Sequence, residues 1–111
     1  MAETYKRLGS ITANGTIGTG QTLYGPVPAS TYTVVSSIVI ANTSATSYTY
    51  NVSTSATTGT HGAYIASGAT VAGNDSVILV AGVCLDPTNR YLVAHASNAA
   101  VHITAYGVTG P

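Results

Sequence analysis

Thr31-Tyr32-Thr33-Val34-Val35-Ser36-Ser37-Ile38-Val39-Ile40-Ala41-Asn42 decides the fold class. β-Branched and aromatic residues dominate it, and such side chains pack well on a pleated, half-buried surface. No helical period runs through it. The alternation predicts Val34, Ile38 and Ile40 on one face and Val35 and Val39 on the other. Apolar residues on both faces predict a central strand, or one covered on both sides by sheet and partner.

Outward from this run the same chemistry recurs in short pieces, punctuated by Gly, Asn and Pro. Further strands are predicted over Tyr5–Thr12, Gln21–Tyr24, Ser47–Ser53, Ala63–Ala66, Ser76–Leu85, Asn89–Ala96 and Ala100–Val108. Gly25-Pro26-Val27-Pro28 lacks two backbone donors and predicts an extended connector. Tyr48, Tyr50 and Val52 share one face of their strand, which predicts one dry side and one wet side. The Thr- and Gly-rich link Thr54–Gly62 is predicted to be the most mobile connection. At 111 residues the chain supports one domain. The expected fold is all-β: a compact antiparallel β-sandwich of jelly-roll or immunoglobulin-like kind, spanning residues 1–111, with residues 1–8 as a contact arm.

The last two predicted strands permit a register. If Asn98-Ala99 forms a two-residue turn, residues whose numbers sum to 197 face each other. Leu92, Ala94 and Ala96 would then oppose Ala105, Ile103 and Val101 on an apolar face. Tyr91 would oppose Tyr106, and His95 would oppose His102, on the reverse.

Charge is scarce. Three basic and three acidic residues give a formal net charge of zero, which removes any long-range attraction to nucleic acid or anionic membrane. Sheet edges are ordinarily guarded with Lys, Pro or inward charge. A chain with so little charge is expected to cover its edges with connectors or with further copies of itself. The opening Met1–Arg7 has no apolar h-region, so no secretory signal is expected. The run Val77–Leu85 is too short to span a bilayer as a helix.

The same scarcity argues against catalysis. Glu3 sits at the terminus, and Asp75 and Asp86 sit in predicted turns, whose formation accounts for both acids. The nucleophile elbow Gly-x-Ser-x-Gly is absent. Cys84, between Val83 and Leu85, is expected to pack as a small buried hydrophobe. His95 and His102 supply at most two imidazoles where zinc takes three or four ligands, so no metal site is assigned. Asn14–Gly20 lacks the Lys-Ser/Thr ending of a phosphate-binding loop. The eight tyrosines suit core filling and protein contacts.

The stretch from Thr22-Leu23-Tyr24 through Pro26-Val27-Pro28-Ala29 and on to Ile40-Ala41-Asn42-Thr43-Ser44-Ala45 resembles small virion proteins of tailed bacteriophages. Those proteins carry a similar Leu-Tyr…Val-Pro-Ala connector, then a long Val/Ile strand closing in Asn-x-Ser-Ala. Tyr5-Lys6-Arg7-Leu8-Gly9, Val71–Ser76 and Val101–Val108 resemble them also. Gly25, inserted before Pro26, departs from the pattern.

The resemblance implies a non-catalytic, cofactor-free β-sandwich subunit of the particle. It implies a capsid decoration or cement protein that binds the major capsid protein on the outer capsid surface. Such a protein would be made in the host cytoplasm and would act as a homo-oligomer, a trimer by analogy with cement proteins at local three-fold positions. The second reading is a tail, baseplate or neck component, and a carbohydrate-binding module stands behind both. Tyr5, Lys6 and Arg7 on the arm, with His61 and Tyr64 at the Thr54–Gly62 link, are the expected partner contacts.

Overall fold

The computed structural model describes residues 4–13, 20–28, 31–56, 62–88 and 90–110. Among these residues eight strands follow in order: β1 (Thr4–Thr12), β2 (Gln21–Tyr24), β3 (Tyr32–Asn42), β4 (Tyr48–Ser55), β5 (Ala63–Val71), β6 (Ser76–Leu85), β7 (Tyr91–Ala96) and β8 (Val101–Gly110). They form two four-stranded antiparallel sheets, ordered β1-β8-β3-β6 and β2-β7-β4-β5. That pair of orders is the jelly roll, one of the two sandwich kinds the sequence leaves open. Only β4 and β5 are consecutive strands paired in one sheet. Apart from that hairpin, each connection carries the chain to the opposite sheet.

The inner faces meet in one core. The first sheet contributes Val35, Ile38, Ile40, Leu85, Val101, Ile103 and Ala105, and the second contributes Leu23, Tyr50, Val52, Val71, Leu92, Ala94 and Ala96. With no Phe or Trp in the chain, branched aliphatics and Ala fill this space. Burial of that apolar area is what holds the two sheets together.

The long strand β3 is central, flanked by β8 and β6. Its expected facing is corrected, however. Val35, Ile38 and Ile40 point inward and are fully buried, while Val34 and Val39 belong to the outer face. A bulge lies between Val35 and Ser37 in both of its pairings, and an extra residue inverts the alternation beyond it. A matching shift between Arg7 and Gly9 on β1 falls in the same row, because Arg7 and Ser37 both oppose Tyr106. The first sheet therefore carries its bulges along one transverse line.

The expected β7–β8 hairpin does not form. β7 pairs with β2 and β4, and β8 pairs with β1 and β3. The turn itself is real: the Asn98 side-chain oxygen accepts from Ala100 N at 2.9 Å. It delivers the chain across the sandwich. Leu92, Ala94 and Ala96 do share the core with Val101, Ile103 and Ala105, but from opposite sheets.

Polar groups fix the ends of the sandwich. Asn42, 3% exposed, donates from its amide to Thr46 O at 2.8 Å, Ala72 O at 3.3 Å and Val71 O at 3.4 Å, and accepts from Ser44 N at 3.0 Å. One amide thus ties the β3–β4 connection to the end of β5. Asp75 and Asp86 act as turn formers, accepting from Ser76 N and Thr88 N, each at 2.8 Å. In the connector after β2 the Gly25–Pro26 peptide bond is cis, and the Val27 N–H donates to Arg90 O at 3.0 Å. Gly25 adopts φ 127° there, and a Cβ would collide with the Arg90 carbonyl oxygen. Glycine is what the close approach demands.

Candidate contact surface

The expected contact residues fall at opposite margins of the sandwich. Thr4 to Thr12 are built into β1, where Tyr5, Lys6 and Arg7 pair through their backbones with Val108, Gly107 and Tyr106. Any contact expected of a terminal arm is therefore, from residue 4 onward, a contact of an edge strand. Lys6 and Arg7 are exposed. Tyr64, 53% exposed, lies on β5 at the far edge of the other sheet, opposite Ser53. β1 packs beside β2, and β5 approaches β3, so Lys6 and Arg7 do not share a patch with Tyr64. His61 lies outside the described residues.

The outer face of the first sheet is open and almost uncharged. One row across it reads Ile78, Val39, Thr104, Ser10, and the next reads Ser76, Ala41, His102, Thr12. Hydroxyls link neighbours within it: Ser10 and Thr104 Oγ1 lie 3.0 Å apart, and Thr12 Oγ1 lies 3.1 Å from His102 Nδ1. Ile78 projects from this face with 62% of its surface in solvent. Cys84 stands on the same side and is exposed, which corrects the expected buried thiol. Residues adjacent on a strand point to opposite faces. The apolar neighbours Val83 and Leu85 therefore describe the other side.

The outer face of the second sheet differs. Ser53 and Val93 are fully buried there, and Ser55 and His95 are 5% and 4% exposed. The wet side expected of β4 holds at Thr49, which is exposed, and at half-buried Asn51, but it closes at Ser53 and Ser55. His95 opposes Asn51, and its Nε2 has no hydrogen-bond partner among the described residues. His95 and His102 thus occupy different sheets on outward faces, which removes the pairing behind the two-histidine candidate. Among the described residues no group of three His, Cys, Asp or Glu side chains is placed to hold a metal ion. No helix among them is long and apolar enough to cross a membrane.

Sequence reasoning missed Asn42 as a buried tie and Ile78 as the most exposed large hydrophobe among the described residues. The first carried a signal, an Asn closing an apolar strand before a Thr-Ser-Ala turn. The second carried none until the bulges fixed which way the strand faced. No family model, curated protein or solved structure matches this chain.

Proposed function

We propose that this protein is a structural subunit of a tailed-phage virion, a decoration or cement protein that binds the major capsid protein on the outer shell and has no catalytic role. The observation that carries this reading is the outer face of the first sheet. A row of Ile78, Val39, Thr104 and Ser10 offers methyls and short hydroxyls that lose little rotamer entropy when covered. Lys6 and Arg7 on β1 supply cations at the margin of that sheet. Binding would be repeated at each copy, so modest contacts accumulate through multivalency. Jelly rolls also occur in lectin domains, so the fold by itself does not choose the function.

The test is co-sedimentation of the purified protein with capsid shells that lack it, scored by stoichiometric binding and by the heat resistance of the shells. Binding at a fixed number of sites per shell is expected. Recovery only with tails or baseplates would move the protein to the second reading, and glycan binding without shell binding would abolish both.

A further inference from the structure

Sheet edges present rows of unpaired backbone groups, and natural sheets blunt them with charge, proline, shortness or bulges. Three of the four edges here carry such devices. β1 bears exposed Lys6 and Arg7 and a bulge beside them. β2 has four residues and runs into the Gly25–Pro28 connector. β5 is irregular, with register shifts on both sides of Val52 and Gly68 at φ 64°. The fourth edge is β6, ten residues without a charge or a proline. Its only interruption is Gly82 at φ 56°. Ser76-Val77-Ile78-Leu79-Val80 before it pairs with β3 in unbroken register and carries none of these devices.

The register fixes which backbone groups of this segment face outward. Asn42 N donates to Asp75 O at 2.9 Å, so Asn42 and Asp75 form a hydrogen-bonded pair across β3 and β6. In an antiparallel ladder such pairs alternate with non-bonded ones. Ile40–Val77 and Ile38–Leu79 then exchange bonds with β3, while Ala41–Ser76, Val39–Ile78 and Ser37–Val80 do not. The N–H and C=O groups of Ser76, Ile78 and Val80 therefore point away from the sheet. No strand among the described residues pairs with that side of β6.

We propose that two copies of this chain associate through β6, antiparallel about a two-fold axis at Ile78, to form one continuous eight-stranded sheet. Positions whose numbers sum to 156 then face each other. Ile78 meets Ile78 of the partner copy as a hydrogen-bonded pair, and Ser76 meets Val80 on either side. This gives roughly six new backbone bonds, two of them requiring the Asp75 carboxylate to release Ser76 N. Val77 and Leu79, core residues left half-buried at the open edge, would be covered by Leu79 and Val77 of the other copy. The regular segment is bounded by the Asn74-Asp75 turn at one end and by Gly82 at the other. A second β6 matches its length and hydrogen-bond spacing, and a chain of zero formal charge offers no repulsion to the approach. The contact is independent of any particle in which the protein works. It makes a dimer, not the trimer that the phage resemblance implies.

Sedimentation velocity over a concentration series decides the matter, with three variants beside the wild type. The wild type should reach a dimer in the high micromolar range, with the Ile78 and Val80 amides protected from hydrogen exchange. Ile78→Lys, at a solvent-facing position, should keep the fold by circular dichroism and weaken association about a hundredfold, because two ammonium groups would sit face to face. Ile78→Pro should abolish association by deleting an outward N–H that the monomer does not use. Thr104→Lys, on the same outer face but on an interior strand, should leave association unchanged. A monomer at every concentration, a trimer, an Ile78→Lys protein that still dimerises, or loss of the dimer in Thr104→Lys would each overturn the proposal.

Discussion

β7 and β8 are consecutive and both short of charge, yet they meet opposite environments. β8 alternates, with Val101, Ile103 and Ala105 buried and His102, Thr104 and Tyr106 partly open. β7 is buried on both faces from Leu92 to Ala96. The contrast shows that the two sheets are not equivalent layers. One has a dry side and a side that is available for contact. The other has little left to offer at its centre, where Ser53, Val93 and His95 are already withdrawn from water.

Charge on the outward side is the sharpest way to test that contrast. Val93→Asp places a carboxylate at a fully buried site with no cation opposite it, and should cost about 3 to 5 kcal/mol or prevent folding. Thr104→Asp, outward on β8, should stay within about 1 kcal/mol of wild type by urea denaturation. Equal losses would mean that the two faces are alike. On the inward side the strands should agree instead. Leu92→Ala and Ile103→Ala each open space in the same fully buried core, so each should lose about 2 to 5 kcal/mol.

Asn42→Ala tests the tie that holds the β3 end against the end of β5. It strips one acceptor and removes the donor to one buried carbonyl, Val71 O, and to two part-buried ones, for an expected loss of about 2 to 3 kcal/mol. Ser10→Ala breaks only the exposed hydroxyl contact with Thr104 and should move stability by about 0.5 kcal/mol or less. Thermal denaturation of the pair should therefore separate them by several degrees. If Ser10→Ala were as damaging as Asn42→Ala, the outer face of the first sheet would be structural and not a contact surface.

The alternation of Val101 through Ala105, and of Leu92 through Ala96, was legible in the chain, and both sets do face the core. Their arrangement was not. An apolar face specifies that it must be covered, but neither side-by-side pairing nor stacking across a core is favoured by that pattern alone. The candidate contact residues fared similarly. Lys6, Arg7 and Tyr64 are exposed as expected of contact residues, yet nothing in their spacing told that they sit at opposite margins. Cys84 was misplaced for a simpler reason: chain neighbours on a strand belong to the other face.

Local chemistry determined where the strands lie, save that β5 runs on from Ala66 to Val71, which turns Asp75 and Asp86 build, and that the product is a β-sandwich poor in charge. β-Branched runs and turn residues act over a few positions, so a single chain displays them. Only the tertiary structure decided the jelly-roll order, the separation of His95 from His102, the phase of β3 beyond Ser36 and the open edge at Ile78. Each of those depends on a partner strand distant in sequence, and one extra residue at a bulge exchanges inside for outside.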